Sequence, residues 1–253
     1  MTTTEERSVG IDLAWGERNA TGLAAVDASG QLVDSATVKS DDEITAWLHT
    51  IAPHPVVVAV DAPLIVPNLT GQRVPETLIG RAFGKYGASA HTSNKGKAYF
   101  NPPRAETLAE RFGWNTDPAT ATGQGAPVCI EVYPHPALVG LFALPRRILY
   151  KKGRDRRAGF DLLATCLESV PELRLAESTR WHEIRRIIAS PRPGDLNRIE
   201  DEIDAILCAH LAWLWHQRPG ALQVYGSVDV GYIVAPPPPT HPALPRDPVA
   251  TSR

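Results

Sequence analysis

Cysteine is scarce in this chain of 253 residues: Cys129, Cys166 and Cys208 stand far apart, with no C-x-x-C spacing. An odd, scattered set of this kind makes neither a disulfide framework nor a zinc site. Long apolar runs are missing too. No stretch of about 18 hydrophobic residues occurs, so no membrane span is expected. The opening Met1-Thr-Thr-Thr-Glu-Glu-Arg7 is polar and acidic and lacks the apolar segment of a secretory signal. These absences together set cytoplasmic location as the expectation. Charge of one sign is also lacking: 26 Lys and Arg face 28 Asp and Glu, which gives no bulk attraction to nucleic acid. No G-x-x-x-x-G-K-[ST] phosphate loop and no G-x-S-x-G nucleophile elbow occurs, so P-loop and serine-hydrolase chemistry are set aside.

What the chain does have is uneven. Residues 81–104 hold five basic residues (Arg81, Lys85, Lys95, Lys97, Arg104) and no acid. Residues 146–157 hold seven (Arg146, Arg147, Lys151, Lys152, Arg154, Arg156, Arg157) against Asp155 alone. Such stretches are either solvated surface or a place for phosphate. Seven prolines fall in residues 236–253, a tail expected to be disordered or polyproline-like. Residues 8–235 offer no linker and read as a single domain.

The periodicity predicts an α/β fold. Residues 9–14, 22–26 and 32–38 are β-rich and separated by turn signals. Asp41-Asp42-Glu43 opens an amphipathic helix carrying Ile44, Trp47, Leu48 and Ile51. Residues 56–60 are a continuous apolar run, as in a strand buried on both faces, and residues 128–133 are a further strand. Helices are expected over 161–170, 180–189 and 197–215, followed by a hairpin at 222–225 and 232–234. Residues 67–126 are irregular, with two short helices. The order β-β-β-α-β implies a mixed central sheet flanked by helices.

Acids interrupt this apolar framework. Asp12 lies in Val-Gly-Ile-Asp-Leu-Ala-Trp, Asp61 ends Val-Val-Val-Ala-Val-Asp, and Glu131 sits within Val-Cys-Ile-Glu-Val-Tyr-Pro-His-Pro. Asp204 lies in the last long helix, on the border of an arc formed by Ile199, Ile203, Ile206, Leu207, His210, Leu211 and Leu214. Asp201, three residues earlier, points the same way from further out. Charge among apolar neighbours is costly unless a cation or hydrogen bonds compensate it. Strand-end acids facing helix acids would make an oxygen-rich pocket suited to Mg²⁺ or Mn²⁺. His135 is read as a helix-starting residue, with a proton carrier near the metal as the other reading, and His210 as a core histidine.

Four strings, Gly10-Ile-Asp-Leu-Ala-Trp15, Val60-Asp61-Ala-Pro63, Glu131-Val-Tyr-Pro-His-Pro136 and Asp204-Ala-Ile-Leu-Cys-Ala209, resemble the family of predicted RNase H-like nucleases, domain of unknown function 429. The resemblance covers about residues 8–235. It implies an RNase H-like fold related to RuvC and YqgF, with metal ligands falling on Asp12, Asp61, Asp201 and Asp204. Glu131 has no counterpart in the minimal RuvC arrangement but matches the family's own Glu-x-Tyr-Pro block.

The leading expectation is therefore a metal-dependent nuclease. Asp12, Asp61, Glu131 and Asp204 would act in catalysis, and Lys151, Lys152, Arg154 and Arg157 would hold the phosphate backbone of DNA or RNA. Two alternatives use the same residues. An actin-like ATPase or phosphotransferase also begins on a Gly-x-Asp strand, though no second phosphate loop follows residue 200. A non-catalytic nucleic-acid-binding protein would keep the acids as structural groups.

Overall fold

Three strands lead the chain in a computed structural model that describes residues 6–16, 19–153, 155–218 and 220–244. They are β1 (Arg7–Asp12), β2 (Thr21–Asp27) and β3 (Leu32–Val38), paired antiparallel in sequence. Helix α1 (Asp41–Ile51) follows, started by a capping box in which Ser40 Oγ accepts from Glu43 N at 3.2 Å and Glu43 Oε2 accepts from Ser40 N at 3.0 Å. Strand β4 (Pro55–Val60) then inserts parallel to β1, and β5 (Val128–Glu131) parallel to β4. The sheet order is β3-β2-β1-β4-β5. Its registers align Ile11 with Val60 and Val60 with Glu131, so the carboxyl ends of β1, β4 and β5 share one edge.

The remaining helices are α2 (Val74–Phe83), α3 (Arg104–Phe112), α4 (Pro134–Leu141), α5 (Arg156–Glu168), α6 (Thr179–Ala189) and α7 (Asp195–Gln217). A hairpin of β6 (Gln223–Ser227) and β7 (Gly231–Ala235) completes the fold, with a bridge from Val234 to Val132 just beyond β5. The weakly patterned stretch 67–126 thus contains the two expected helices, α2 and α3. Among the described residues, no helix is long and apolar enough to cross a membrane.

Helix α7 lies across β1, β2, β3 and β4 and is the organising element. Its amphipathic pattern predicts one buried arc, yet every residue from Glu202 to Leu214 is buried. The difference arises because α4, α5 and α6 pack on it in addition to the sheet. Its approach to the sheet depends on two glycines. A Cβ at Gly10 would stand 2.1 Å from the Ala205 carbonyl oxygen, and one at Gly22 would stand 1.8 Å from that of Asp201. Both distances are far inside van der Waals contact, so only glycine permits the docking. Gly22 is also the register partner of Asp12, which brings the acid of β1 against the acid-bearing turns of α7.

The proline-rich segment expected to be disordered or polyproline-like begins at Pro236, and its described part, residues 236–244, has no helix or strand and makes specific contacts. Tyr86 Oη lies 2.8 Å from the carbonyl oxygens of Pro239 and His241, and Leu244 N donates to Pro145 O at 3.0 Å. Proline lacks an N–H but keeps its carbonyl, and here those carbonyls serve as acceptors. Residues 245–253 lie outside the described residues. The three cysteines are free and buried.

Candidate metal centre

Asp12 closes β1, Asp61 follows β4 directly, and Asp204 sits on the α7 turn that crosses both strands. One ligand oxygen from each lies within 4.8 Å of the others. Asp12 and Asp204 are buried and Asp61 is half-buried. Oxygens on one Mg²⁺ stand at most about 4.2 Å apart, and those on Ca²⁺ about 5 Å. The three carboxylates are therefore at the spacing of a shared ion, needing only small side-chain adjustments for the smaller cation. Asp12 Oδ2 is buried without a hydrogen-bond partner, its nearest cation being Lys151 Nζ at 4.0 Å. Orphaned buried carboxylate oxygens are costly, and an all-oxygen set fits a hard divalent cation.

A lysine provides the compensating charge. Lys151 Nζ lies 2.8 Å from Asp204 Oδ2, and 4.0 Å from both Asp12 Oδ2 and Glu200 Oε1. The neighbouring Tyr150 donates from its hydroxyl to Asp204 Oδ1 at 2.8 Å. The opening to solvent is a cavity of about 480 Å³ lined by Asp12, Asp61, Asp201, Lys151, Trp15 and His135, among others. His135 enters as the second residue of α4, with Nδ1 unpartnered. Burial first, and then Lys151 and Arg147, push its pKa down to about 3, so the ring is neutral at neutral pH.

Burial and mutual repulsion govern the acids. Burial raises Asp12 well above the usual carboxylate range, Lys151 opposes it, and Asp61, Asp204 and Asp201 add to the rise. The same balance of burial, Lys151 and neighbouring acids sets Asp61 at about 7 and Asp201 at about 6. Glu200 is raised to about 7, with Arg156 helping Lys151 to oppose the rise. Burial works against the Lys151 ammonium, but Asp204, Asp12, Tyr150 and Asp61 outweigh it and its pKa rises.

A pH dependence follows. A carboxyl whose pKa is higher in the folded than in the unfolded state binds more protons when folded. Its stabilising contribution is complete below about pH 4 and is lost as pH rises to about 7, the value for Asp61. The metal-free protein should lose melting temperature between pH 5 and pH 8, and Asp61→Asn should flatten that slope and stabilise it by about 1–3 kcal/mol at pH 8. Saturating Mn²⁺ should restore stability at pH 8, by about 3 kcal/mol at a hundredfold excess over its Kd. Melting curves with EDTA and with Mn²⁺ read both effects. A flat profile that Mn²⁺ leaves unmoved would count against the cluster as a cation site.

The other expected site residues distribute as follows. Asp201 lines the same cavity, one turn before Asp204, but does not belong to the group of three. Glu131 is turned away from that group by Arg73, whose guanidinium grips both of its oxygens at 2.6 and 2.8 Å, while Leu64 N donates to Oε2 at 2.8 Å. Arg73 also donates to Glu76 at 2.9 Å, and all three side chains are buried. Lys152 and Arg157 are exposed, and Arg154 lies outside the described residues. Arg156 is drawn to the acidic end of α7 through Glu200 at 2.8 Å and Asn197 at 2.7 Å. Arg104, one of the five basic residues of 81–104, is paired with Asp41 and donates to the Ala14 carbonyl at 2.8 Å.

A mixed α/β domain with a five-stranded sheet and a buried carboxylate group able to hold a metal ion is the class of protein defined by this geometry. The chain belongs to the family described as protein of unknown function (DUF429), whose model matches residues 10–229. That span begins two residues before Asp12 and includes Asp61, Glu131 and Asp204. No curated protein matches the chain.

Proposed function

We propose that this protein is a divalent-metal-dependent phosphodiesterase of RNase H-like fold acting on nucleic acid. The observation carrying the proposal is the convergence of Asp12, Asp61 and Asp204 at the carboxyl edge of a β3-β2-β1-β4-β5 sheet. Asp12 and Asp61 come from neighbouring parallel strand ends, and Asp204 from the helix that covers them. A bound Mg²⁺ or Mn²⁺ supplies a Lewis acid for phosphoryl oxygen and lowers the pKa of its water.

The chain's own residues do the rest. Asp12, Asp61 and Asp204 hold the ion, and Tyr150 fixes the Asp204 carboxylate through its hydroxyl. Lys151 neutralises the acids in the metal-free protein; its ammonium is free for a phosphate oxygen in the same cavity once a cation takes over that charge. Glu200 and Asp201, with pKa values near 7 and 6, are suited to accept a proton at neutral pH. Lys152 and Arg157 stand exposed on the chain leaving Lys151, where they can follow a phosphate backbone. A two-lobed actin-like ATPase would need a second large sheet. Among the described residues the only other sheet is the β6–β7 hairpin.

Incubating the full chain with labelled single- and double-stranded DNA and RNA, in Mg²⁺, Mn²⁺ or EDTA, tests the proposal. Cleavage that requires the ion is the expected result. Binding should weaken steeply with salt, and Lys152→Ala should lower the salt slope by about one or less, equally for all sequences. Intact substrates in every metal, with binding indifferent to salt, would refute both the activity and the partner.

A further inference from the structure

Next to the acids stands a group of aromatic rings that metal chemistry does not use. Trp15 follows Asp12 by three residues and is 38% exposed, and Tyr99 is 44% exposed. Their rings stack, with centroids 5.4 Å apart and planes 18° from parallel. Buried Phe100 supports both edge-on, at 5.0 Å from Trp15 and 4.7 Å from Tyr99. His91 meets Trp15 edge-to-face at 6.3 Å. The Trp15 segment is anchored from below by Arg104, which holds the Ala14 carbonyl and Asp41.

Large aromatics left exposed on a braced support mark a binding surface, since a core would have buried them. Trp15 and His91 both line the 480 Å³ cavity that contains Asp12, Asp61 and Lys151. Three residues of extended chain span at most about 10 Å, so the Trp15 backbone stays close to that of Asp12. Base pairs in a duplex offer no free face for such a ring, whereas unpaired bases stack on aromatics irrespective of sequence.

We infer that Trp15 and Tyr99 form a stacking platform for an unpaired nucleobase, so that the site takes a single-stranded or locally unpaired segment. The inference rests on the phosphodiesterase reading and adds its substrate class. The phosphate of that nucleotide lies toward the carboxylates and Lys151, and its base lies on Trp15.

Fluorescence anisotropy in Ca²⁺ with labelled oligo-dT and with a duplex of equal length tests it on the full chain. Trp15→Ala should weaken single-strand binding about 5–100-fold, and Tyr99→Ala should weaken it in the same direction. Trp15→Phe should retain most of the affinity, and duplex binding should change by no more than about twofold. Both Ala variants remove exposed side chains, and circular dichroism verifies their folding. Equal loss for both substrates, no loss, or no single-strand binding by the parent would overturn the platform. Selective loss in Trp15→Ala, in a parent that never cleaves with Mg²⁺ or Mn²⁺, keeps the platform and removes the phosphodiesterase. Ion-dependent cleavage with normal binding by Trp15→Ala does the reverse.

Discussion

Asp12→Asn is expected to lower metal-dependent cleavage at least about 100-fold while leaving the fold intact. The bound is conservative, because losing even a residue that merely supports a metal ligand typically costs 10–100-fold. Asparagine keeps the shape of the side chain and removes only its charge. That charge is unfavourable in the metal-free protein, since burial and the carboxylates of Asp61, Asp204 and Asp201 together outweigh Lys151. The variant should therefore melt at or above the parent's temperature at pH 8 in EDTA. Asp201→Asn, outside the group of three and with Glu200 left to accept a proton, should lose about tenfold or less. Single-turnover rates beside melting curves separate the two variants. Equal rates for parent and Asp12→Asn would remove Asp12 from the chemistry, and a lowered melting temperature would make its role structural.

The largest stability effect is expected at Arg73. Its guanidinium is buried against Glu131 and Glu76, and it also donates to the Ile65 carbonyl at 2.9 Å. Arg73→Met leaves two buried carboxylates without their cation, and breaking one side of such a network costs about 3–5 kcal/mol. Glu131→Gln should cost less, because Glu76 still neutralises Arg73 and the amide oxygen can accept from Leu64 N. Urea denaturation gives both values. A cost below about 1 kcal/mol for Arg73→Met would show that water reaches the network. The network holds the segment after Asp61 to the end of β5, so its failure should also loosen the metal centre. Glu131 thus acts on the site through position, while its oxygens are committed to Arg73 and Leu64.

The sheet was legible because its strands announce themselves locally. The apolar run of β4, the turn signals around β2 and β3 and the acidic start of α1 each depend on neighbouring residues. So were Asp12, Asp61 and Asp204, since an acid within an apolar run is conspicuous wherever the chain later places it. Partners across the sequence were harder to read. Glu131 and Arg73 are 58 residues apart, and the arginine lies in a segment without periodicity. Nothing local distinguishes it from a surface arginine. Lys151 lay in a recognised basic stretch, but its turn toward Asp204, 53 positions on, follows from how α7 crosses β1. The two glycines that permit this crossing, Gly10 and Gly22, carry no side-chain signal; their meaning comes from the helix placed above them. The tail's contacts were hidden for a related reason. Proline density excludes strand and helix, yet leaves carbonyls that Tyr86 and its neighbours can bind.

Manganese binding tests the central claim most directly, because it asks whether Asp12, Asp61 and Asp204 hold one ion without requiring a substrate. Titrating Mn²⁺ into the metal-free chain, with free ion followed by electron paramagnetic resonance, should show at least one site per chain at pH 8. Asp12→Asn, Asp61→Asn and Asp204→Asn should each weaken that site about tenfold or more, with Mg²⁺ competing for it in the parent. Binding of equal strength in the parent and in all three variants would contradict the account.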